Sequence, residues 1–153
     1  MSIADRLREL ELQLPPVPVP VANYVLVRHA GDLAFTSGQT PTHGGVLQSH
    51  GKLGRELTVE QGQVAARQAL LNCLAALEDD LGSLDNVVAV VRLTGYVASA
   101  DGFGDQPMVV NGASVLLEEI FGDIGKHARA ALGVAELPGG APVEVELIVQ
   151  VRA

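Results

Sequence analysis

From Val143 to Val151 the chain reads V-E-V-E-L-I-V-Q-V, an alternation of period two that constrains the fold more than any other stretch. Successive side chains of an extended strand leave opposite faces. Val143, Val145, Leu147, Val149 and Val151 therefore share one side, and Glu144, Glu146, Ile148 and Gln150 the other. The first side is wholly apolar and needs a layer packed over it. Upstream, Arg129, Ala131 and Gly133 alternate with Ala130, Leu132 and Val134. The linking run Leu137-Pro138-Gly139-Gly140-Ala141-Pro142 favours a chain reversal. Together these predict an antiparallel hairpin with Arg129 beside Glu144, a neighbourhood in which an anion could be held.

The rest of the chain supplies the missing layer. Thr58 followed by Gln61 has the form of a capping box, and Val64, Leu71, Leu74, Leu77 and Leu81 recur at near-helical spacing up to Gly82. Val87 to Val97 is β-branched enough for a long central strand. Asp105 and Pro107 then start a second helix, with Val109, Leu116 and Ile120 on its buried side. Tyr24 to Arg28 and Leu33 to Thr36 are short β-prone runs around a turn at His29-Ala30-Gly31-Asp32, and residues 40–57 read as a long loop. The order β-β-α-β-α-β-β predicts an α+β fold, a mixed sheet with two main helices on one face. Before it, residues 3–14 have a short amphipathic helical pattern and Pro15 to Pro20 are extended by their prolines. We divide the chain into an N-terminal helix and Pro-rich arm, 1–20, and a single domain, 21–153.

Composition narrows the partners. A 153-residue chain suits one core, and nearly half of its residues are apolar. No apolar run reaches the roughly 18 residues of a membrane span, and Met1 to Leu14 is charged where a signal peptide would be apolar, so the expected location is cytoplasmic. The net charge of −8, with ten scattered Lys and Arg, opposes a phosphate-tracking surface and makes nucleic acid an unlikely partner. His29, His43, His50 and His127 have no metal-ligand spacing, so no metal site is expected. His29 and His43 are expected in solvated turns, and His127 at the edge of any pocket around Arg129. Cys73, the only cysteine, falls within the first long helix as a small buried hydrophobe.

Several of these residues carry a resemblance. Ser37-Gly38-Gln39 follows a strand, Tyr24 stands thirteen positions before Ser37, and Asn111 lies in the second helix. Ala128-Arg129 is followed by Val134, Leu137-Pro138 and Val143-Glu144-Val145-Glu146. In this order, over roughly residues 22–151, the chain resembles the RidA/YjgF family of reactive-intermediate deaminases, also called endoribonuclease L-PSP-like. The Arg-to-Glu spacing of fifteen with Leu-Pro between is the specific part. The resemblance implies a chorismate-mutase-like fold and a homotrimer with its sites in clefts between subunits. It also implies hydrolysis of enamines and imines, such as those derived from 2-aminoacrylate, to 2-keto acids and ammonia, with no cofactor.

The residue types suit that chemistry. A guanidinium fork can hold a carboxylate through two hydrogen bonds, which gives Arg129 the substrate's acid group. Glu144 would orient or deprotonate the attacking water. Tyr24, Ser37, Gly38 and Asn111 would bind substrate, Gly38 by letting the backbone come close. Taken without the resemblance, Arg129 and Glu144 read as a cross-strand ion pair worth about 0.2–1 kcal/mol, Tyr24 as interface packing, Ser37 as a turn residue and Asn111 as helix surface. Glu146 reads as structural or solvated. The chain departs from the family pattern at Ala131, where many members have cysteine, at His127, where proline is common, in its longer arm and in its expanded 40–57 loop. Two alternatives stand beside the deaminase: a noncatalytic trimer that binds small carboxylates, and a ribonuclease, against which the acidic charge weighs.

Overall fold

A computed structural model describes all residues 1–153. After a short helix α1 (Ile3–Glu9) come strands β1 (Val27–Ala30) and β2 (Leu33–Thr36), then a two-stranded ribbon, β3 (Thr42–His43) and β4 (Val46–Leu47). Helix α2 (Val59–Leu81), strand β5 (Val87–Ala98), helix α3 (Gln106–Phe121), and strands β6 (Ala128–Val134) and β7 (Val143–Val151) complete the chain. The main sheet runs β1-β2-β7-β5-β6, antiparallel throughout except for the parallel pair β5 and β6. Helix α3 is the crossover between those two strands, as a parallel pair requires. The fold is the expected α+β arrangement, a chorismate-mutase-like mixed sheet with α2 and α3 on one face.

Helix α2 starts and stops where local chemistry directs, whereas Asp105 at the start of α3 makes no side-chain cap hydrogen bond. Thr58 and Gln61 form the reciprocal capping box, and Gly82 closes α2 in the left-handed region at φ 78°. Val64 does not face the core as the spacing predicts. It is 68% exposed, and the buried side of α2 is built from Ala65, Ala66, Ala69, Leu70, Cys73, Leu74 and Leu77. The alanines let α2 sit low on the sheet, so the helix turns its β-branched valine outward. On α3, Val109, Leu116 and Ile120 are buried as expected. Alternation along β7 is complete: Val143, Val145, Leu147, Val149 and Val151 are buried, and the four residues between them, Ile148 included, are not.

The predicted hairpin between Arg129 and Glu144 does not form. β5 lies between β6 and β7, with Leu93 level with Arg129 on one side and with Leu147 on the other. The physical reason is the connection. Residues 135–142 make eight residues, longer than the two to five of a usual hairpin loop. They pass the end of β5 instead, where Ser99 donates its amide to the Val134 carbonyl and Ala98 to that of Pro142.

Three smaller expectations also change. β1 continues through Ala30, so the turn to β2 is Gly31-Asp32 alone. The 40–57 segment holds a ribbon turned at Gly44-Gly45, whose φ of 58° and 82° suit a two-residue reversal. His29 and His43 lie in strands, and His29 pairs with Asp80 of α2. At the other end of the chain, Leu7 of α1 is buried in the same core as the helices, and the Ile3 amide donates to Asp85.

Candidate functional site

Strand β7 directs Glu144 to the face of the sheet that the helices leave open, level with Tyr96 of β5. Its carboxyl is half-buried. Burial, then the neighbouring charge of Glu146, raises its pKa, and no hydrogen bond acts to hold the charged form. Glu146 is better satisfied, because the Tyr96 hydroxyl donates to it at 2.8 Å, and that bond raises the tyrosine's own pKa.

The segment after β2 is clamped beside Glu144. Gln39 exchanges both backbone hydrogen bonds with Val145, and Ser37 donates its amide to Leu26 and its hydroxyl to the Val25 carbonyl. That brings Gly38 under the Glu144 side chain so closely that any Cβ there would overlap it. Tyr24, Ser37, Gly38 and Glu144 all line one cavity of about 540 Å³. Pro18 and Val19 of the N-terminal arm line it too, with Val21 and Ala22 that follow it and Pro138 of the β6–β7 connection.

Arg129 and Asn111 form a second cluster. Being level with Leu93, Arg129 leaves β6 on the helix side of the sheet, and its Nη1 donates to Asn111 Oδ1 at 2.7 Å and to Ser114 Oγ at 3.3 Å, both on α3. With Nη1 held, the Nε–Nη2 edge is left for a ligand carboxylate. His127 joins the same cluster, its Nε2 at 2.9 Å from Ser114 Oγ and its Nδ1 at 2.7 Å from the Gly125 carbonyl. Arg129 and Glu144 thus occupy opposite faces of the sheet. With β5 between their strands, they are separated by two strand spacings, about 10 Å, before any offset along the strands. No group of three or more His, Cys, Asp or Glu is placed to hold a metal ion.

Comparison with known proteins decides the family. The family model described as "YjgF/chorismate mutase-like, putative endoribonuclease" matches residues 4–149. The chain belongs to the RidA/YjgF family. It is similar to Protein TCP17 of Trypanosoma cruzi, 42% identical over 98% of this chain and 94% of that protein. A RutC family protein of Aquifex aeolicus is 31% identical over 90% and 96%. Among solved structures, Atu1372 of Agrobacterium tumefaciens, of unknown function, is 39% identical and superposes with a TM-score of 0.91 over 99% of this chain and 93% of that one. The expectation that nucleic acid is an unlikely partner finds no support here, since the family description itself carries the word endoribonuclease.

Within this family member, the six residues singled out from sequence therefore fall into two groups: Tyr24, Ser37, Gly38 and Glu144 around the cavity, and Arg129 with Asn111 at the sheet edge. Sequence reading missed Ser114, whose signal was its position three residues after Asn111 on one helix face. It also missed the arm residues, which carry no chemical signature, and Gln39, whose role is made by its backbone. No helix is long and apolar enough to cross a membrane.

Proposed function

We propose that this protein hydrolyses short-lived enamines and imines of 2-amino acids to 2-keto acids and ammonia, as a cytoplasmic homotrimer. The observation that carries the reading is the Glu144 carboxyl, which is half-buried, raised in pKa and seated over Gly38 in a cavity of substrate size. A carboxyl displaced upward in this way is a stronger base than a free glutamate and is suited to take a proton from water and return it.

Because Arg129 and Glu144 sit on opposite faces of one chain, a complete site needs Arg129 from one protomer and Glu144 from the next. The helix-free face of the sheet supports such an assembly, with Phe35, Val88, Val91 and Leu132 exposed on the strands in the isolated chain. Arg129 would then hold the substrate carboxylate through its Nε–Nη2 edge, leaving the C=N carbon toward Glu144. Glu144 takes a proton from water as the oxygen bonds to that carbon. The imine nitrogen, protonated in turn, departs as ammonia when the carbinolamine collapses to the ketone. One water is consumed, and no electrons are exchanged. Tyr24 and Ser37 line the cavity beside the reacting group, and Asn111 acts on substrate through Arg129.

The test is release of ammonia and keto acid from freshly generated 2-aminoacrylate, with wild type, Arg129→Ala and Glu144→Ala at matched folded concentration. Acceleration by wild type that both variants lose supports the reading. A wild type no faster than the spontaneous reaction overturns it, and retained pyruvate binding would then favour the noncatalytic carboxylate binder.

A further inference from the structure

The Arg129 cluster is a chain of groups whose donors and acceptors can be counted. A carbonyl oxygen only accepts, so the 2.7 Å contact between His127 Nδ1 and Gly125 O assigns the proton to Nδ1. In the neutral ring Nε2 is then a bare acceptor. The only group facing it is the Ser114 hydroxyl at 2.9 Å, which must donate. Its hydrogen committed, Ser114 Oγ presents lone pairs to Arg129 Nη1, which has hydrogens and no acceptor capacity. Every step runs in one direction, from guanidinium to hydroxyl to imidazole to backbone carbonyl.

We propose that Ser114 and His127 are positioning residues for Arg129: His127 fixes the direction of the Ser114 hydroxyl, and Ser114 with Asn111 pins Nη1 so that the Nε–Nη2 edge faces a ligand carboxylate. The inference rests on the proposed function only in taking Arg129 as the carboxylate anchor. His127 stands near the start of β6, fixed to the single turn of 3-10 helix (Gly122–Gly125) by the Gly125 carbonyl. Its geometry therefore transmits the placement of that turn to the guanidinium. Ser114 is the shared atom, since one oxygen meets both the ring and the guanidinium. Removing either partner unsettles the same bond.

Pyruvate is the probe, titrated into the full-length protein. Ser114→Ala and His127→Asn should each weaken its binding about three- to tenfold, the range set by loss of one ordinary intramolecular hydrogen bond. Glutamine places a terminal amide oxygen near the position of the imidazole Nε2, so His127→Gln should stay within about twofold of wild type by the same measure. The double variant Ser114→Ala/His127→Asn should be no weaker than the worse single one, because both act through one oxygen. In turnover, the weakening should raise KM and leave kcat in place, since the anchor serves ground and transition states alike. A readout that needs no ligand accompanies these: guanidinium NMR signals of Arg129 should show slowed rotation in wild type and His127→Gln, and faster rotation in Ser114→Ala and His127→Asn, where only the Asn111 bond still holds Nη1.

Unaltered Arg129 rotation in both single variants overturns the proposal, as does additive weakening in the double. Arg129→Ala separates the two readings. If it binds pyruvate as wild type does, the anchor role itself fails. If it loses binding while Ser114→Ala and His127→Asn keep it, only the positioning role fails.

Discussion

Glu144 lies across Gly38, so near that a Cβ added to the glycine would stand 2.8 Å from the Glu144 Cδ. Carbon atoms do not approach so closely, and the Gln39–Val145 backbone pairing prevents the two strands from parting. A Gly38→Ala side chain would therefore push the carboxylate off its seat. Since the displaced group is the free end of a side chain, the fold should survive with a melting temperature close to wild type. We expect turnover of 2-aminoacrylate to fall at least about tenfold, the effect of misplacing a general base. Unchanged turnover would show that the seat is irrelevant to catalysis.

The raised pKa of Glu144 sets a pH dependence of known sign. Activity that needs its carboxylate should fall on the acid side, with the limb above the ordinary range near 4.3. Glu146→Gln removes the like charge and should move that limb toward lower pH, and Tyr96→Phe controls for the loss of the Tyr96–Glu146 hydrogen bond. Stability follows the same shift. A carboxyl that binds its proton more tightly folded than unfolded contributes stability fully present below the unfolded value, and this is lost as pH rises through the folded value. Glu144→Gln should flatten that loss in denaturant titrations run across the window.

Much of this architecture was legible in the chain. The period of β7, the capping box at Thr58 and the stop at Gly82 are local instructions, each fulfilled within a few residues. The pairing of β6 was not legible, because strand neighbours are chosen across the whole sheet. Residues 135–142 can close a hairpin or step over β5 with the same prolines and glycines. Arg129 and Glu144 were recognised individually, yet their opposite faces depend on which strand lies between them. Ser114 was invisible as a functional candidate because serine on a helix is common, and only the fold brings it against Arg129 and His127.

Helices α2 and α3 touch backbone to backbone at Gly112, where an added Cβ would meet the Gln63 Cα at 2.7 Å. Backbone cannot give way as a side-chain tip can. Gly112→Ala should therefore destabilise by about 1–3 kcal/mol or more, the cost of forcing volume into a packed interface, despite alanine's better helix propensity. Chemical denaturation with an unchanged slope and a lower midpoint would register it. A more stable variant would mean the helices part freely, contrary to their shared core.

Division of the site between copies can be tested by mixing. Arg129→Ala retains Glu144, and Glu144→Ala retains Arg129, so each variant alone is expected to be inactive as a homotrimer. If every site takes its arginine from one protomer and its glutamate from the next, unfolding both variants together and refolding them as random mixed trimers restores intact sites at about a quarter of all clefts. A single-chain site predicts no recovery, because no protomer then carries both groups. The sheet supports the first outcome: on one chain the guanidinium is tied to α3 on the helix side while the carboxylate looks out from the open side, level with Tyr96. Leu132→Glu, which charges an exposed apolar position on that open face, should dissociate the proposed trimer in sedimentation to species of 15.9 kDa and abolish the recovery.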